Sequence, residues 1–408
     1  MPPAQKRPRD RKAQIARAAS DAFSSSGFHA VSMEQIAARV GVSAAALYRH
    51  ATSKYGLFRE AVLGLSQQLV DATAFADDAT EADPAEVRDK LLLALIDTSI
   101  SNRAFSGLYR WEGRYLVEED LVVLTDQLKL VNRRLHQPLM RLRPKLSSVQ
   151  RWTLSSAALS VIGSIADHHA KLGTKQIRTL LLAVSRDALE ADLPTGPPEE
   201  TPSLPDVDRG MKYEVLLRES LRLFHRVGYH DTSMDDIAGA VGMPTSGIYR
   251  YFTGKADILA ASFRRAADRV SADLSEALAA ESDPALVLDR LVDAYIARSF
   301  EDPELAYLYY TDKGNLPAPD ARILHNIQRA TVERWAQLLA TVRTDIDTAE
   351  ALFIVHATFA LVVDLGRLMD YDNSAESRAR VRTMMRVTLF GADMVGRNSG
   401  PSVDELSA

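Results

Sequence analysis

Apolar positions along this chain recur at helical spacing, and no segment alternates apolar and polar residues between hairpin turns. Between Arg11 and Ser25, the residues Ile15, Ala18, Ala19, Ala22 and Phe23 fall at i, i+3, i+4, i+7 and i+8, an amphipathic helix that Gly27 would close with a left-handed cap. Leu216, Ser220, Leu223, Phe224 and Gly228 repeat the arrangement in the second half. Ser32 with Gln35, and Ser233 with Asp236, are spaced as capping boxes that start a second helix, with Ile36, Ala37 and Val40 facing a core. Gly41 and Gly242 mark a sharp turn, after which Ser43 or Pro244 opens a short helix ending near His50 or Phe252. Thr52-Ser53 and Thr253-Gly254 then cap a further helix, whose buried stripe in the first copy is Leu57, Phe58, Val62 and Leu65.

The rest of the chain continues in the same manner. Asp83-Pro84 and Asp283-Pro284 are helix starts, an N-cap followed by proline in the first turn, and Leu108-Tyr109 and Leu308-Tyr309 keep the same register. Each half ends in two long apolar helices, expected at about 148–171 and 174–189, and at about 348–370 and 375–395. The predicted fold class is all-α, built as two tandem helical units. Residues 192–208 hold five of the chain's 17 prolines and five acids with no base, which makes them an extended acidic linker. A period near 200 interrupted by such a linker predicts tandem domains, not a solenoid. The expected boundaries are a head at 1–60, a helical core at 61–191, the linker at 192–208, a second head at 209–262, a second core at 263–397 and a tail at 398–408.

Charge sharpens this picture. The net charge of -5 is unevenly spread: residues 1–60 hold ten Lys/Arg against four Asp/Glu, and residues 209–265 hold nine against six. Positive charge thus gathers on the repeated segments, and local charge is what meets phosphate, because fields of exposed charges fade within about 8–10 Å at physiological salt. The chain has no cysteine, which excludes disulfides, thiolate catalysis and iron–sulfur ligation and agrees with a cytoplasmic location. The basic N-terminus is followed by no apolar signal segment, and the longest apolar stretch, Ala351 to Val363, is too short to span a bilayer.

Aligned at an offset of 201, residues 23–54 and 224–255 share Phe23, Gly27, His29, Ser32, Met33, Ile36, Ala37, Val40, Gly41, Tyr48, Arg49, Thr52 and Lys54. Helix, glycine turn and second short helix is the plan of a helix-turn-helix that enters the major groove. The runs Gly-Val-Ser-x-x-x-Leu-Tyr-Arg-His-x-x-Ser-Lys (41–54) and Gly-Met-Pro-x-x-x-Ile-Tyr-Arg-Tyr-Phe-x-x-Lys (242–255) resemble the N-terminal domain of TetR-family transcriptional regulators over about 45–50 residues of each half. The resemblance implies three-helix heads that bind operator DNA, helical cores that bind a small-molecule effector, and dimerisation through the last two helices. In one chain this becomes a covalent pseudo-dimer, the alternative being a further homodimer that presents four heads.

The DNA-contacting candidates are Ser43, Ala44, Ala45, Tyr48, Arg49, His50 and Lys54 in the first copy, and Thr245, Ser246, Gly247, Tyr249, Arg250, Tyr251 and Lys255 in the second. Tyr48, Arg49 and Lys54, with Tyr249, Arg250 and Lys255, are expected at phosphates, where the N-terminus of the helix holding the lysine offers its amides to the same anion. Bases are read differently in the two copies. Ala44-Ala45-Ala46 offers only methyl contacts, while Thr245-Ser246-Gly247 offers two hydroxyls and a close approach. The first copy departs from the family by having Ala51 where the second has Phe252, and it alone carries a basic arm, Lys6, Arg7, Arg9, Arg11 and Lys12, suited to phosphates or a minor groove.

Tyr109, Trp111 and Trp152 in the first half, and Tyr309, Trp335, Phe353 and Phe359 in the second, are candidates to line a ligand chamber, and the second half, richer in aromatics, is the expected effector site. Asp167-His168-His169 is no metal site, since adjacent helical residues point about 100° apart. No cofactor and no catalytic constellation is expected. The sequence thus predicts a cytoplasmic, small-molecule-responsive transcriptional repressor and no enzyme. The rival reading is a helical ligand-binding or scaffold protein in which one or both heads are vestigial.

Overall fold

A computed structural model describes residues 8–79, 81–194 and 212–392, with side chains from residue 11 onward. The expected linker therefore lies almost wholly, and the tail wholly, outside the described residues. Every element among the described residues is helical, in the order α1 (Pro8–Ala30), α2 (Met33–Val40), α3 (Ala44–Leu47), α4 (Lys54–Thr73), α5 (Pro84–Ser101) and α6 (Glu118–Leu142). There follow α7 (Ser148–Gly163), α8 (Thr174–Glu190), α9 (Lys212–Arg226), α10 (Met234–Val241), α11 (Thr245–Ile248), α12 (Lys255–Ala280), α13 (Pro284–Glu301) and α14 (Pro303–Asp312). The last three are α15 (Ala318–Val342), α16 (Thr348–Leu368) and α17 (Ala375–Phe390). The all-α reading holds.

The start and stop signals act as their chemistry dictates. Asp83 and Asp283 each accept a hydrogen bond from the amide two residues on, at 3.3 and 2.8 Å, ahead of prolines whose missing donors cost nothing in a first turn. Gly27 breaks α1 with φ 76°, and Gly41 and Gly242 end α2 and α10 at φ 70° and 63°, a left-handed geometry that a side chain would strain.

Two compact units emerge, and they do not coincide with the sequence halves. Among the described residues, the first comprises those up to 145 together with 165–167, and the second comprises 146–164 and those from 168 onward. Helices α7 and α8, expected to complete the first core, belong to the second unit. There α7 packs on α16 and α8 on α17, making a bundle of two helix pairs. Ser160 Oγ donates to Asp364 at 2.6 Å, and the His168 ring stacks on His356 at 4.2 Å. Helix α7 stops at Gly163, earlier than the expected 171, and the chain departs so that Asp167 joins the first unit. There it accepts from Trp111 Nε1 at 2.6 Å and pairs with Arg110 at 3.2 Å. Asp167 and His168 thus serve different units. Helix α16 is long and apolar enough to cross a membrane, but most of its apolar window is buried inside the second unit.

In the first unit α1, α2, α3 and the start of α4 enclose Phe23, Ile36, Leu47, Phe58 and Val62, all with no exposed surface. Burying each such side chain contributes about 1.5–3 kcal/mol, enough to fix a small head whose reading helix has a single turn. Asp120 of α6 ties the head's last helix to the core, accepting from Tyr55 Oη at 2.6 Å and Arg59 Nε at 2.5 Å. The second unit makes the same tie with the equivalent acid and another partner, Asp320 of α15 to Arg264 of α12 at 3.1 Å.

Candidate nucleic-acid interface

Each head presents its reading helix by the same local logic. Ser32 and Gln35 exchange the two bonds of a capping box, at 2.8 and 3.3 Å, and Ser233 and Asp236 do so at 2.8 and 3.1 Å. The glycine turn then redirects the chain. Ser43 caps α3 by accepting from the Ala46 amide at 3.2 Å, so its hydroxyl oxygen already serves the helix. Pro244 starts α11 with no side-chain cap. Leu47 and Ile248, fully buried, pin the reading helices to their cores.

The candidate contact residues fall into two groups. Tyr48, Arg49 and His50, and Tyr249, Arg250 and Tyr251, are exposed, the three tyrosines and the histidine offering their polar tips and the two arginines their guanidinia. Tyr48 and Tyr249 keep 52% and 54% of their surface. Among the described residues neither arginine has an ion pair and neither of these two tyrosines a side-chain hydrogen bond, so both heads carry cations and hydroxyls uncommitted to the fold. Ala44 is half-buried and Ala45 exposed, while Ser246 is exposed and Gly247 half-buried.

The second group is already engaged. Lys255 Nζ donates to the carbonyls of Tyr229, His230 and Thr232 at 2.6, 2.9 and 2.9 Å and lies 4.7 Å from the Tyr229 ring centre. An ammonium has three protons, and all are used. Lys54 does the same more loosely, with one bond to the His29 carbonyl at 3.3 Å and the Phe28 ring at 4.5 Å. Burial holds both ammonium groups below the usual lysine range. In this structure each lysine clamps the connection between the first two helices of its head, so a phosphate contact would have to be made in place of these bonds. The helix N-termini beside them are also partly occupied, because Ser53 Oγ accepts from the Gly56 amide at 2.9 Å and Asp257 accepts from the Thr253 amide at 3.0 Å.

Thr245 is engaged in the same way. Its hydroxyl donates to Asp235 on α10 at 2.6 Å, which leaves Ser246 as the uncommitted hydroxyl of that reading helix. Lys6 and Arg7 lie outside the described residues, and Arg9 sits on α1. Arg11 and Lys12 are helical and not part of a free arm: Arg11 Nη1 meets the Val40 carbonyl at 3.4 Å, and Lys12 lies 3.8 Å from Glu60.

Sequence reading did not anticipate how the loss at Ala51 is accommodated. In the second head Phe252 stacks on Tyr213 at 5.5 Å. The positions equivalent to Tyr213, Phe252 and Ala261 are Lys12, Ala51 and Glu60 in the first head. The aromatic pair is therefore absent from the first head, where Lys12 and Glu60 lie 3.8 Å apart on the surface and Ala51 packs against the core. Glu112 was also missed: its carboxylate accepts from the Phe28 amide at 2.8 Å, joining the core's π-turn to the head. An offset of 200 to Asp312 was the available signal.

In the second unit a cavity of about 180 Å³ is lined by residues of α12 to α16, including Tyr309 and Phe359. The other chamber candidates lie outside this lining. Trp335 is buried behind Phe359 at 5.0 Å, and Phe353 packs on His168 at 4.6 Å. Trp111 is bound to Asp167, Tyr109 packs on the first head's core, and Trp152 is half-buried on α7.

The profile of "Bacterial regulatory proteins, tetR family" matches residues 15–61 and again 216–262. No curated protein matches the chain. Among solved structures, the TetR family transcriptional regulator PfmR from Thermus thermophilus is similar at 23% identity and TM-score 0.38, covering 43% of this chain and 97% of its own. The fatty acid degradation regulator FadR from Bacillus halodurans is similar at 21% identity and TM-score 0.38, covering 45% and 97%. The ketosteroid transcriptional regulator KstR2 of Mycobacterium tuberculosis is similar at 17% identity and TM-score 0.41, covering 45% and 95%.

Proposed function

The chain belongs to the TetR family, carrying its DNA-binding domain twice, and we propose that it works as a single-chain, small-molecule-responsive repressor with two unequal heads. The observation that carries the proposal is the pair of uncommitted sets on the two reading units: exposed Tyr48 and Arg49 in one head, exposed Tyr249 and Arg250 in the other. Phosphates fix a head's register, and groups already bound within the fold cannot do so without losing those bonds. The first head offers methyl groups and charge to DNA, and the second adds the Ser246 hydroxyl.

The packing of α7 and α8 against α16 and α17 supports reading the chain as a covalent pseudo-dimer that needs no second copy to present two heads. A cytoplasmic location follows from that role. A ligand in the cavity of the second core would act through a difference in affinity between DNA-bound and released arrangements, since nothing else can shift such an equilibrium.

Footprinting on the DNA upstream of the chain's own gene tests this. Two unlike half-sites are expected, centred one helical turn or a multiple apart, with tight binding that weakens steeply with salt. A perfect palindrome protected equally on both arms refutes unequal heads. Weak binding indifferent to sequence would favour the rival reading of a scaffold with vestigial heads.

A further inference from the structure

We propose that the cavity of the second core binds an uncharged, largely apolar molecule of about one ring that carries a single acceptor oxygen, as a ketone, lactone or aryl ester does. This deepens the effector reading given above, and rests on it only for what binding does to DNA affinity.

Size sets the first limit. The cavity measures about 180 Å³, somewhat more than the roughly 150 Å³ engineered cavity that accepts benzene. One ring with a short substituent fills it. Its wall is mostly carbon from Phe263, Val270, Leu324, Ile327 and Phe359, so apolar contact supplies the main attraction.

Charge sets the second limit. Two arginines reach the lining, and both are neutralised by the protein itself. Arg269 pairs with Asp302 at 3.3 Å, and Arg298 grips Asp273 through Nε and Nη2. The Asp273 carboxylate holds the Arg298 guanidinium above its usual range. A ligand carboxylate would bring a second negative charge beside Asp302 or Asp273, which already answer these arginines. A ligand cation meets carboxylates that are already satisfied. The pairs leave no net charge for an ionic ligand to answer, which favours neutral molecules.

The remaining polar groups select within that class. Tyr309 Oη donates to Gln328 Oε1, which orients the amide and leaves its Nε2 protons without a partner among the described residues. Tyr295 lines the same cavity, and its hydroxyl likewise has no hydrogen-bond partner among the described residues. Its ring stacks on Phe359 at 4.6 Å and meets Trp335 at 6.3 Å, which holds the ring in place. Burial, then the neighbouring Tyr309, pushes the Tyr295 hydroxyl well above the ordinary tyrosine range, so it stays protonated as a donor. Two donors among the residues of an apolar lining suit one acceptor oxygen.

The test uses the full chain and three probes of similar size: acetophenone, ethylbenzene and benzoate. Calorimetry and thermal shift should show acetophenone binding once per chain, ethylbenzene binding more weakly, and benzoate leaving the protein unchanged. Tyr295→Phe should weaken acetophenone about five- to tenfold, the loss of one hydrogen bond, and leave ethylbenzene within about twofold. Ala306→Phe, or the smaller Ala306→Leu if that variant folds poorly, should block both neutral probes while the helical signal is kept. Benzoate binding as tightly as acetophenone overturns the proposal, as does a Tyr295→Phe variant with unchanged acetophenone affinity, or no binding of either neutral probe up to its solubility. If acetophenone binds as described and operator affinity does not move, the ligand class stands and the effector reading fails.

Discussion

Removing the ammonium at position 255 separates a structural lysine from a phosphate-binding one. In Lys255→Met the stem keeps its packing, while three bonds to the carbonyls of Tyr229, His230 and Thr232 and the contact with the Tyr229 ring are lost. A hydrogen bond from a charged donor contributes about 1.5–3 kcal/mol, and a cation over a ring about 0.5–1 kcal/mol. Against this stand the desolvation of the ammonium and up to about 2 kcal/mol of side-chain entropy, and the freed carbonyls regain some water. The net loss is about 2–4 kcal/mol, felt where α9 joins α10. Because the chain has two compact units, one global unfolding free energy is not well defined, and local amide exchange is the proper readout. Amides at the start of α10 should exchange about thirty- to several hundredfold faster, since each 1.4 kcal/mol is a factor of ten. Lys54→Met, which loses one bond of 3.3 Å and one ring contact, should cost about 1 kcal/mol at the equivalent place. The reasoning is refuted if exchange in Lys255→Met is unchanged while the salt slope of DNA binding flattens by about 0.9, the mark of one lost phosphate contact.

Further expectations concern other contacts. Phe252→Ala should destabilise the second head by about 3–5 kcal/mol, read by the same exchange measurement. The graft of Lys12→Tyr with Ala51→Phe should stabilise the first head only as a pair, which a double-mutant cycle would register as positive coupling. Asp235→Ala frees the Thr245 hydroxyl and removes an acid beside the reading helix, so gel-shift affinity should rise for all sequences, and an unchanged affinity would place Asp235 away from the DNA. The Tyr55 hydroxyl, then Arg59, holds the Asp120 carboxyl below the usual range. Its contribution is therefore full above about pH 4 and is lost as pH falls through the depressed value, so Asp120→Asn should flatten the acid limb of a stability–pH curve.

The elements that were legible in the sequence are those defined by local chemistry. Capping boxes at Ser32 and Ser233, the left-handed turns at Gly41 and Gly242 and the Asp-Pro starts each need only a few adjacent residues, and each lies where expected. Exposure was legible where nothing in the fold competes for a side chain, as at Tyr48, Arg49, Tyr249 and Arg250. It was not legible where a long side chain chooses between solvent and a partner 23 to 26 residues away, as Lys255 does. The same holds for Thr245, whose acid lies ten residues back, and for α7 and α8, whose partners come from helices about 200 residues later. Pattern gives a helix its apolar face but does not say which other helix will cover it.

The bundle has a consequence for how this protein can change. In a symmetric homodimer every substitution appears twice, and any contact across the axis is accompanied by its mirror image. Here the mirror of Ser160 with Asp364, taken at the offset of 200, would be Ala360 with Ser164, and that of His168 with His356 would be Leu368 with Ser156. Each of these polar contacts thus exists in a single copy, with an apolar residue in its reflected place. One acid and one imidazole pair can enter such a bundle without their doubles, and a mutation in either head is sampled alone. Because both halves lie in one sequence, a change that is good for one side need not be tolerable on the other.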